Sequence, residues 1–367
     1  MKKIIVLFLL ACVSMPLTAF AQKSSFPEIK QLKSPQEPKL GFIIHGGAGS
    51  MKKGSMTAAK EKEYLDKLAE VVLAGYKALQ DGKTSLDAVE IAIRMMEDSP
   101  LFNAGKGAVF TADGKNELDS SIMDGNTLKA GGVAGLHHVK NPITLARAVM
   151  EKSPHVLMFG DGAEKFAKEQ KIQLVDEEYF WTQESWDELQ TLNPQVKSKK
   201  SKGKSKVRRQ KAKVKSQISD SGLQTRYSKR GTVGAVALDS FGNLAAGTST
   251  GGMSNKKYGR VGDAPIIGAG TYANNNTCGV SATGWGEYFI RLGVARDISA
   301  LMEYRAKTVQ EAADAVIKQK LQKLGGDGGV IVMDKFGNMA ISFNTDGMFR
   351  AYIGPDSKPV VEIYKED

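Results

Sequence analysis

The chain has 367 residues, 41% of them hydrophobic and 25% charged, ordinary proportions for a soluble globular protein with room for one large or two ordinary domains. A net charge of +11 would raise nucleic acid as a partner, but residues 197–215 alone hold eleven Lys or Arg and no acid, so the rest is neutral and no folded basic face is expected. The two cysteines, Cys12 and Cys278, can build neither a disulfide framework nor a zinc knuckle once the first is lost with the leader described next.

Met1 to about Ala21 has the form of an export signal: Lys2-Lys3, an apolar stretch from Ile4 to Ala11, and Ala19-Phe20-Ala21 before Gln22. The apolar stretch is too short to span a bilayer. A periplasmic or secreted product is expected. A lipid anchor at Cys12, in Leu9-Leu10-Ala11-Cys12, is the alternative to soluble cleavage. Residues 22–40, with three prolines, read as a flexible leader.

Gly41-Phe42-Ile43-Ile44 predicts a strand that runs into a glycine loop, His45-Gly46-Gly47-Ala48-Gly49. Apolar spacing predicts a helix over 57–80 and a second over 85–97, with Thr84 and Asp87 as its capping pair and Ser99-Pro100 as its stop. Strands follow near 108–112, 117–122 and 130–137, then helices over 142–152, 161–170 and 177–191.

From about Asn193 to Gly231 hydrophobic residues nearly vanish, which predicts a disordered linker. Contact with an anionic polymer is the competing reading, and the tract lacks interleaved aromatics. Apolar structure resumes at Gly234-Ala235-Val236-Ala237-Leu238, turning at Asp239-Ser240-Phe241-Gly242-Asn243. An internal echo follows: Ala235–Thr250 is matched by Val330–Thr345, both with the look of β-hairpins. Between them lie a strand near 264–270, an alternating strand at 278–282, and helices over 286–304 and 309–323, the last opened by the capping box Thr308–Glu311. Strands and helices come in blocks, favouring a layered α+β architecture with antiparallel sheets between helices.

The four histidines form no His-Glu-x-x-His pattern, and neither a phosphate-binding Gly-x-x-x-x-Gly-Lys-Ser/Thr nor a Gly-x-Ser-x-Gly elbow occurs. His137-His138 read as structural. Four polar groups remain. Thr232 opens a buried strand directly after the cleavable tract. By itself it is a β-branched residue suited to a sheet. Cut at Gly231–Thr232, it would carry hydroxyl and free α-amine on one residue, a known way to activate a nucleophile. Gly247-Thr248-Ser249-Thr250-Gly251-Gly252 sets hydroxyls at a strand end. Gly259-Arg260-Val261-Gly262-Asp263 offers a guanidinium for a carboxylate and a carboxylate for an ammonium, or else a surface ion pair. Ala282-Thr283-Gly284-Trp285-Gly286-Glu287 supplies a hydroxyl and backbone N–H groups for an oxyanion, or else an ordinary helix start.

From about residue 41 to its end the chain resembles the plant-type asparaginase/isoaspartyl peptidase branch of the N-terminal-nucleophile hydrolases. The resemblance rests on His45-Gly46-Gly47-Ala48-Gly49, Pro100-Leu101-Phe102-Asn103-Ala104-Gly105, Met123-Asp124-Gly125-Asn126-Thr127, Gly231-Thr232-Val233-Gly234, Thr248-Ser249-Thr250-Gly251-Gly252, Gly259-Arg260-Val261-Gly262-Asp263 and Thr283-Gly284. It implies a four-layer αββα sandwich, self-cleavage at Gly231–Thr232 into an α chain and a β chain Thr232–Asp367, and an assembly of two α and two β chains. By position it makes Thr232 the nucleophile, supported by Thr250 and Thr283. It places Asn103, Arg260, Val261, Gly262, Asp263, Trp285 and Gly286 around the substrate, with Thr283, Gly284 and Gly286 on the oxyanion side. It also implies a sodium ion held by carbonyls of Met96, Glu97, Ser99, Phe102, Ala104 and Lys106, and no cofactor for catalysis. The substrate would be a small molecule or dipeptide, asparagine or a β-aspartyl peptide, and no nucleic acid. An exported glycosylasparaginase is the runner-up, an exported basic anion-binding protein the third reading. The charged linker, the export signal and the bulk of Trp285 depart from the branch's usual pattern.

Overall fold

Runs of Gly, Ala and Val become strands covered on both faces, which is why they carry no clear polar alternation. The structure, a computed structural model, describes residues 32–35, 39–196 and 231–365. The export signal with Cys12, most of the leader and the basic tract 197–215 lie outside the described residues.

In chain order the strands and helices are β1 (Leu32–Lys33), β2 (Gly41–Gly49), α1 (Ala58–Gln80), α2 (Ser85–Glu97), β3 (Leu118–Asp124), β4 (Ala130–Leu136), α3 (Pro142–Lys152), β5 (Leu157–Phe159), α4 (Gly160–Glu169) and α5 (Gln183–Leu192). After the linker come β6 (Val233–Leu238), β7 (Leu244–Thr250), β8 (Thr271–Ala273), β9 (Cys278–Gly284), α6 (Gly286–Leu292), α7 (Val294–Arg305) and α8 (Val309–Asp314). A π-turn over Ala315–Leu321 extends α8, and β10 (Gly328–Asp334), β11 (Asn338–Phe343), β12 (Gly347–Ile353) and β13 (Pro359–Tyr364) complete the fold.

The strands form an eight-stranded sheet ordered β13-β12-β2-β6-β7-β3-β4-β5 and a five-stranded sheet ordered β1-β11-β10-β9-β8. Among the described strands only the β4–β5 pair is parallel. Helices α1, α2 and α3 cover the outer face of the large sheet, α7 and α8 that of the small one. This is the expected αββα sandwich of the α+β class. Each sheet sorts its residues with a period of two. On β6, Val233, Ala235 and Ala237 join the core under the helices, while Val236 and Leu238 join the core between the sheets. Both capping boxes form, Thr84 with Asp87 and Thr308 with Glu311. The echoed hairpins are β6–β7 and β10–β11.

Several expectations change. Residues 264–270 are turns, not a strand: the Ile266 N–H donates to the Asp263 carbonyl at 2.9 Å and the Ala269 N–H to that of Ile266 at 3.0 Å. These local bonds use the groups a strand would offer to a neighbour. The helix expected over 286–304 is two, because Gly293 takes the left-handed conformation (φ +58°) between α6 and α7. Around 108–112 only the Phe110–Asn116 bridge survives, and 177–191 is a short 3₁₀ turn followed by α5. β2 does not stop at Ile44 but runs on through the glycines to Gly49. β9 does not alternate between core and solvent, since Cys278 to Thr283 are all buried. Leu32–Lys33, within the stretch read as a flexible leader, pair with Met339 and Asn338 of β11. His137-His138 sit just beyond β4, where both backbone N–H groups donate to the Glu164 carboxylate at 2.6 and 2.8 Å.

Candidate active site

The two-residue period places the first pair of hydroxyls. Extended back from Val236, it turns Gly234 and Thr232 toward the small sheet, and on β7 it turns Thr248 and Thr250 the same way. Thr232 Oγ1 lies 3.0 Å from Thr250 Oγ1, and the Thr250 hydroxyl also accepts the Gly252 N–H at 3.0 Å.

The peptide before Thr232 is held from both sides. The Gly231 carbonyl accepts the Asn103 N–H at 3.2 Å. Gly231 lies flat against Gly47, whose φ is +114°. A Cβ added to Gly47 would sit 2.3 Å from the Gly231 Cα, so any larger residue there would displace the junction. Asn103 is buried and staples its loop to the end of β7. Its Nδ2 donates to the Gly252 carbonyl at 2.7 Å, and its Oδ1 accepts the Val109 N–H at 2.9 Å. The far side of Thr232 is held too, by His45 Nδ1 at 3.1 Å from the Thr232 carbonyl oxygen.

Thr283, at the same end of β9, accepts the Ala48 N–H at 3.4 Å, so it stands beside the glycines that flank Gly231. Gly284 (φ +153°) packs against Gly328 and the Asp327 carbonyl, in a position closed to a side chain. Arg260, Gly262, Asp263 and Gly286 form a second group. A Cβ on Gly286 would come within 2.7 Å of Arg260 Nη2 and 2.9 Å of Asp263 Oδ1. The surface ion-pair alternative is corrected. Asp263 is buried with its Oδ2 unpartnered, and Arg260 gives Nε and Nη2 to Glu287 at 2.9 and 2.8 Å, leaving Nη1 over Gly262. Burial pushes the Asp263 carboxyl up to about 7, partly offset by the charge of Arg260. Val261 is half-buried between them. Trp285, also half-buried, meets the Tyr288 ring edge-on, and its backbone N–H donates to the Asp327 carbonyl at 3.0 Å.

The loop Met96–Lys106 curls so that its carbonyls face its own glycines. A Cβ on Gly105 (φ +50°) would meet the Glu97 oxygen at 2.3 Å, and one on Gly107 the Phe102 oxygen at 2.0 Å. The carbonyls of Met96 and Ala104 accept the N–H groups of Ser99 and Gly107, both at 3.2 Å. Among the described residues no cluster of His, Cys, Asp and Glu is arranged for a metal. A donor set of main-chain oxygens fits a hard cation such as sodium. The Glu97 carboxyl points away, accepting the Ser249 hydroxyl at 2.7 Å and the Ile143 N–H at 3.1 Å. Burial pushes it up to about 8. Ser99 Oγ accepts the Leu101 N–H, and the Lys106 ammonium lies over the Tyr179 ring.

Sequence reasoning quoted His45 and Glu287 inside motifs without giving either a role. Ser281 was passed over, although it lies one strand period from Thr283. Their partners are 187, 236 and 27 residues away in the chain, so no local pattern announces them.

Comparison with known proteins adds independent findings. A family model described as asparaginase matches residues 38–363. An isoaspartyl peptidase of Salmonella typhimurium is 48% identical over 329 residues, which cover 89% of this chain and 99% of that protein. A probable isoaspartyl peptidase/L-asparaginase 2 of Arabidopsis thaliana is 41% identical over 332 residues, 88% and 98% of the two chains. A plant-type L-asparaginase of Pyrococcus abyssi is 42% identical over 315 residues, 86% and 96% of the two.

Proposed function

Because this chain belongs to the asparaginase family, we propose that it severs its own Gly231–Thr232 bond and then cleaves the side-chain amide of asparagine and the isopeptide bond of β-aspartyl peptides. It is a hydrolase of amide or isopeptide bonds. The observation that carries the self-cleaving reading is Thr232 Oγ1 at 3.0 Å from Thr250 Oγ1, with the preceding carbonyl on the Asn103 N–H.

In the uncut chain Thr232 Oγ attacks the Gly231 carbonyl carbon. Negative charge developing on the Gly231 oxygen meets the Asn103 N–H; the C–N bond then breaks with the Thr232 nitrogen taking the proton that Oγ gives up, and water hydrolyses the ester so formed. The freed α-amine, with a reference pKa of about 7.7–8.0, then takes the hydroxyl proton in each turnover. Arg260 receives the substrate α-carboxylate, with Glu287 yielding part of the fork, and Asp263 receives the ammonium. Thr283 Oγ and the Gly284 N–H face the oxyanion. Ammonia or an amine leaves, and water releases aspartate.

A sodium ion would be held by the carbonyls of Met96, Glu97, Ser99, Phe102, Ala104 and Lys106. It would supply no chemistry beyond fixing the loop that carries Asn103. Assembly of two processed protomers is supported by β5, an edge strand whose Leu157 and Phe159 are 52% and 58% exposed, with Val156 just before it 53% exposed. Export to the periplasm or medium remains the reading of residues 1–21. The names of the relatives favour isoaspartyl and asparagine substrates over glycosyl-asparagine.

Intact-mass analysis of active protein is the direct test. Two chains are expected, the second beginning at Thr232. A single uncut chain with full activity would sink the self-cleaving reading.

A further inference from the structure

Directly behind the row of Thr232, Thr250 and Thr283 runs a chain of buried polar side chains that the proposed chemistry does not use. His45 Nε2 lies 2.9 Å from Ser281 Oγ, Ser281 Oγ 2.7 Å from Thr248 Oγ1, Thr271 Oγ1 2.6 Å from Thr248 Oγ1, and Ser121 Oγ 2.8 Å from Thr271 Oγ1. All five residues are fully buried. The chain alternates between sheets: His45, Thr248 and Ser121 belong to the large one, Ser281 and Thr271 to the small one. At one end it reaches the Thr232 carbonyl. At the other, the Ser121 hydroxyl meets the Ala264 carbonyl at 2.5 Å, one residue from Asp263.

The link to Thr232 fixes the tautomer of His45. A carbonyl oxygen only accepts, so His45 Nδ1 carries the proton and donates to Thr232. Nε2 is therefore bare and accepts from Ser281. With the Ser281 proton directed at Nε2, the Ser281–Thr248 contact is closed by the Thr248 proton, whose alternative is the Gly270 carbonyl at 3.2 Å, and Thr248 accepts from Thr271; the single Ser121 proton lies between the Ala264 carbonyl and the Thr271 oxygen. Burial pushes the His45 imidazole down to about 3, so the ring is neutral in the working range. Gly234 lies against this joint, where an added Cβ would sit 1.9 Å from Ser281 Oγ and 2.4 Å from His45 Nε2.

We propose that His45, its tautomer set by the Thr232 carbonyl and its far nitrogen held by Ser281, is a positioning residue that holds that carbonyl and so sets the direction of the Thr232 hydroxyl in turnover. This rests on the reading of Thr232 as nucleophile. His45 touches neither substrate nor the reacting oxygen. It fixes the peptide plane on the one side of Thr232 that stays attached after the chain is cut. A hydrogen bond is directional where apolar packing is not, and a displacement of about 1 Å at a reacting group costs about 100-fold in rate.

The test is hydrolysis of a β-aspartyl dipeptide by purified, processed full-length enzyme, with folding followed by thermal melts. His45→Ala is expected to lower kcat about 10- to 100-fold with KM within about twofold of wild type. His45→Asn should recover most of the loss, because its amide N–H takes the place of Nδ1. Wild-type kcat in His45→Ala, a change confined to KM, or no rescue by His45→Asn would overturn the proposal. If His45→Ala fails to fold or to process, ¹⁵N spectra of wild-type enzyme decide: a proton on Nδ1 alone is expected, and one on Nε2 overturns it. Thr232→Ala in the same assay separates the two levels. An active Thr232→Ala defeats the nucleophile reading, whereas an inert Thr232→Ala beside a fully active His45→Ala defeats only the role of His45.

Discussion

The layer between the two sheets is built in two ways. In its lower half Ile43, Val236, Leu244, Ala246 and Met333 meet as apolar surface. In its upper half β2, β6 and β7, continuing with the same period, present His45, Thr232, Thr248 and Thr250, and β8 and β9 of the small sheet add Thr271, Ser281 and Thr283. Apart from half-buried Thr232, both halves are buried. Apolar contact stabilises in proportion to area and tolerates a slide of a few tenths of an ångström. A hydroxyl chain does not, because each bond has a direction and each unmade one leaves a desolvated group costing about 1–3 kcal/mol. Cohesion of the sheets thus resides mainly below, and the placement of the nucleophile above.

Breaking the upper half should abolish chemistry and spare the fold. Thr232→Ala is expected to stay uncut on gels and to lose dipeptide hydrolysis by about 10⁴-fold or more, while its melt stays close to wild type. Thr232→Ser should keep part of both reactions. Next in size, Asp263→Ala should cost at least about 30-fold in kcat/KM, chiefly through KM, because the ammonium of the substrate would enter a buried site without its partner. Breaking the lower half should do the reverse. Met333→Ala removes a fully buried side chain and should cost about 2–5 kcal/mol of unfolding free energy in denaturant titrations, with kcat at 25 °C little changed. Equal losses of kcat from Met333→Ala and from the polar substitutions would erase the distinction.

The two halves also differ in how much of them could be read from the chain. The lower half follows from composition: apolar runs bounded by turns gave β6, β7, β10 and β11 and their pairing. The upper half was visible as motifs but not as contacts. Thr232, Thr250, Thr283, Arg260 and Asp263 were singled out by residue type and glycine neighbours. The bonds that orient them join residues far apart, such as His45 to Ser281, or switch partner, as Arg260 does to Glu287. Where sequence misled, apolar content was mistaken for extended chain. Ala264 and Ala269 are buried as any core strand would be, yet they turn on local hydrogen bonds.

The smallest expected effect is a pH dependence, and it separates the two titrating groups of the site. In the free enzyme burial holds the Asp263 carboxyl near 7 against the opposing charge of Arg260. Below that pH the group keeps its proton and has no charge to offer an ammonium. The Thr232 α-amine must also be neutral to act as base, with a reference pKa of about 7.7–8.0. Since kcat/KM reports groups of the free enzyme, its acid limb should steepen toward two protons below pH about 7 in the wild type and stay at one in Asp263→Asn. The stability of the free enzyme runs the opposite way. A carboxyl raised from 3.8 to about 7 by folding binds its proton more tightly in the native state. Its contribution is therefore complete below pH about 4 and lost as pH rises through about 7. Melts of the free enzyme should show that decline over pH 4–7, and Asp263→Asn should flatten it. Aspartate, by supplying the missing cation to the ionised carboxylate, should stabilise the wild type more at pH 8 than at pH 5. Equal protection at both would mean that Asp263 does not receive the ammonium.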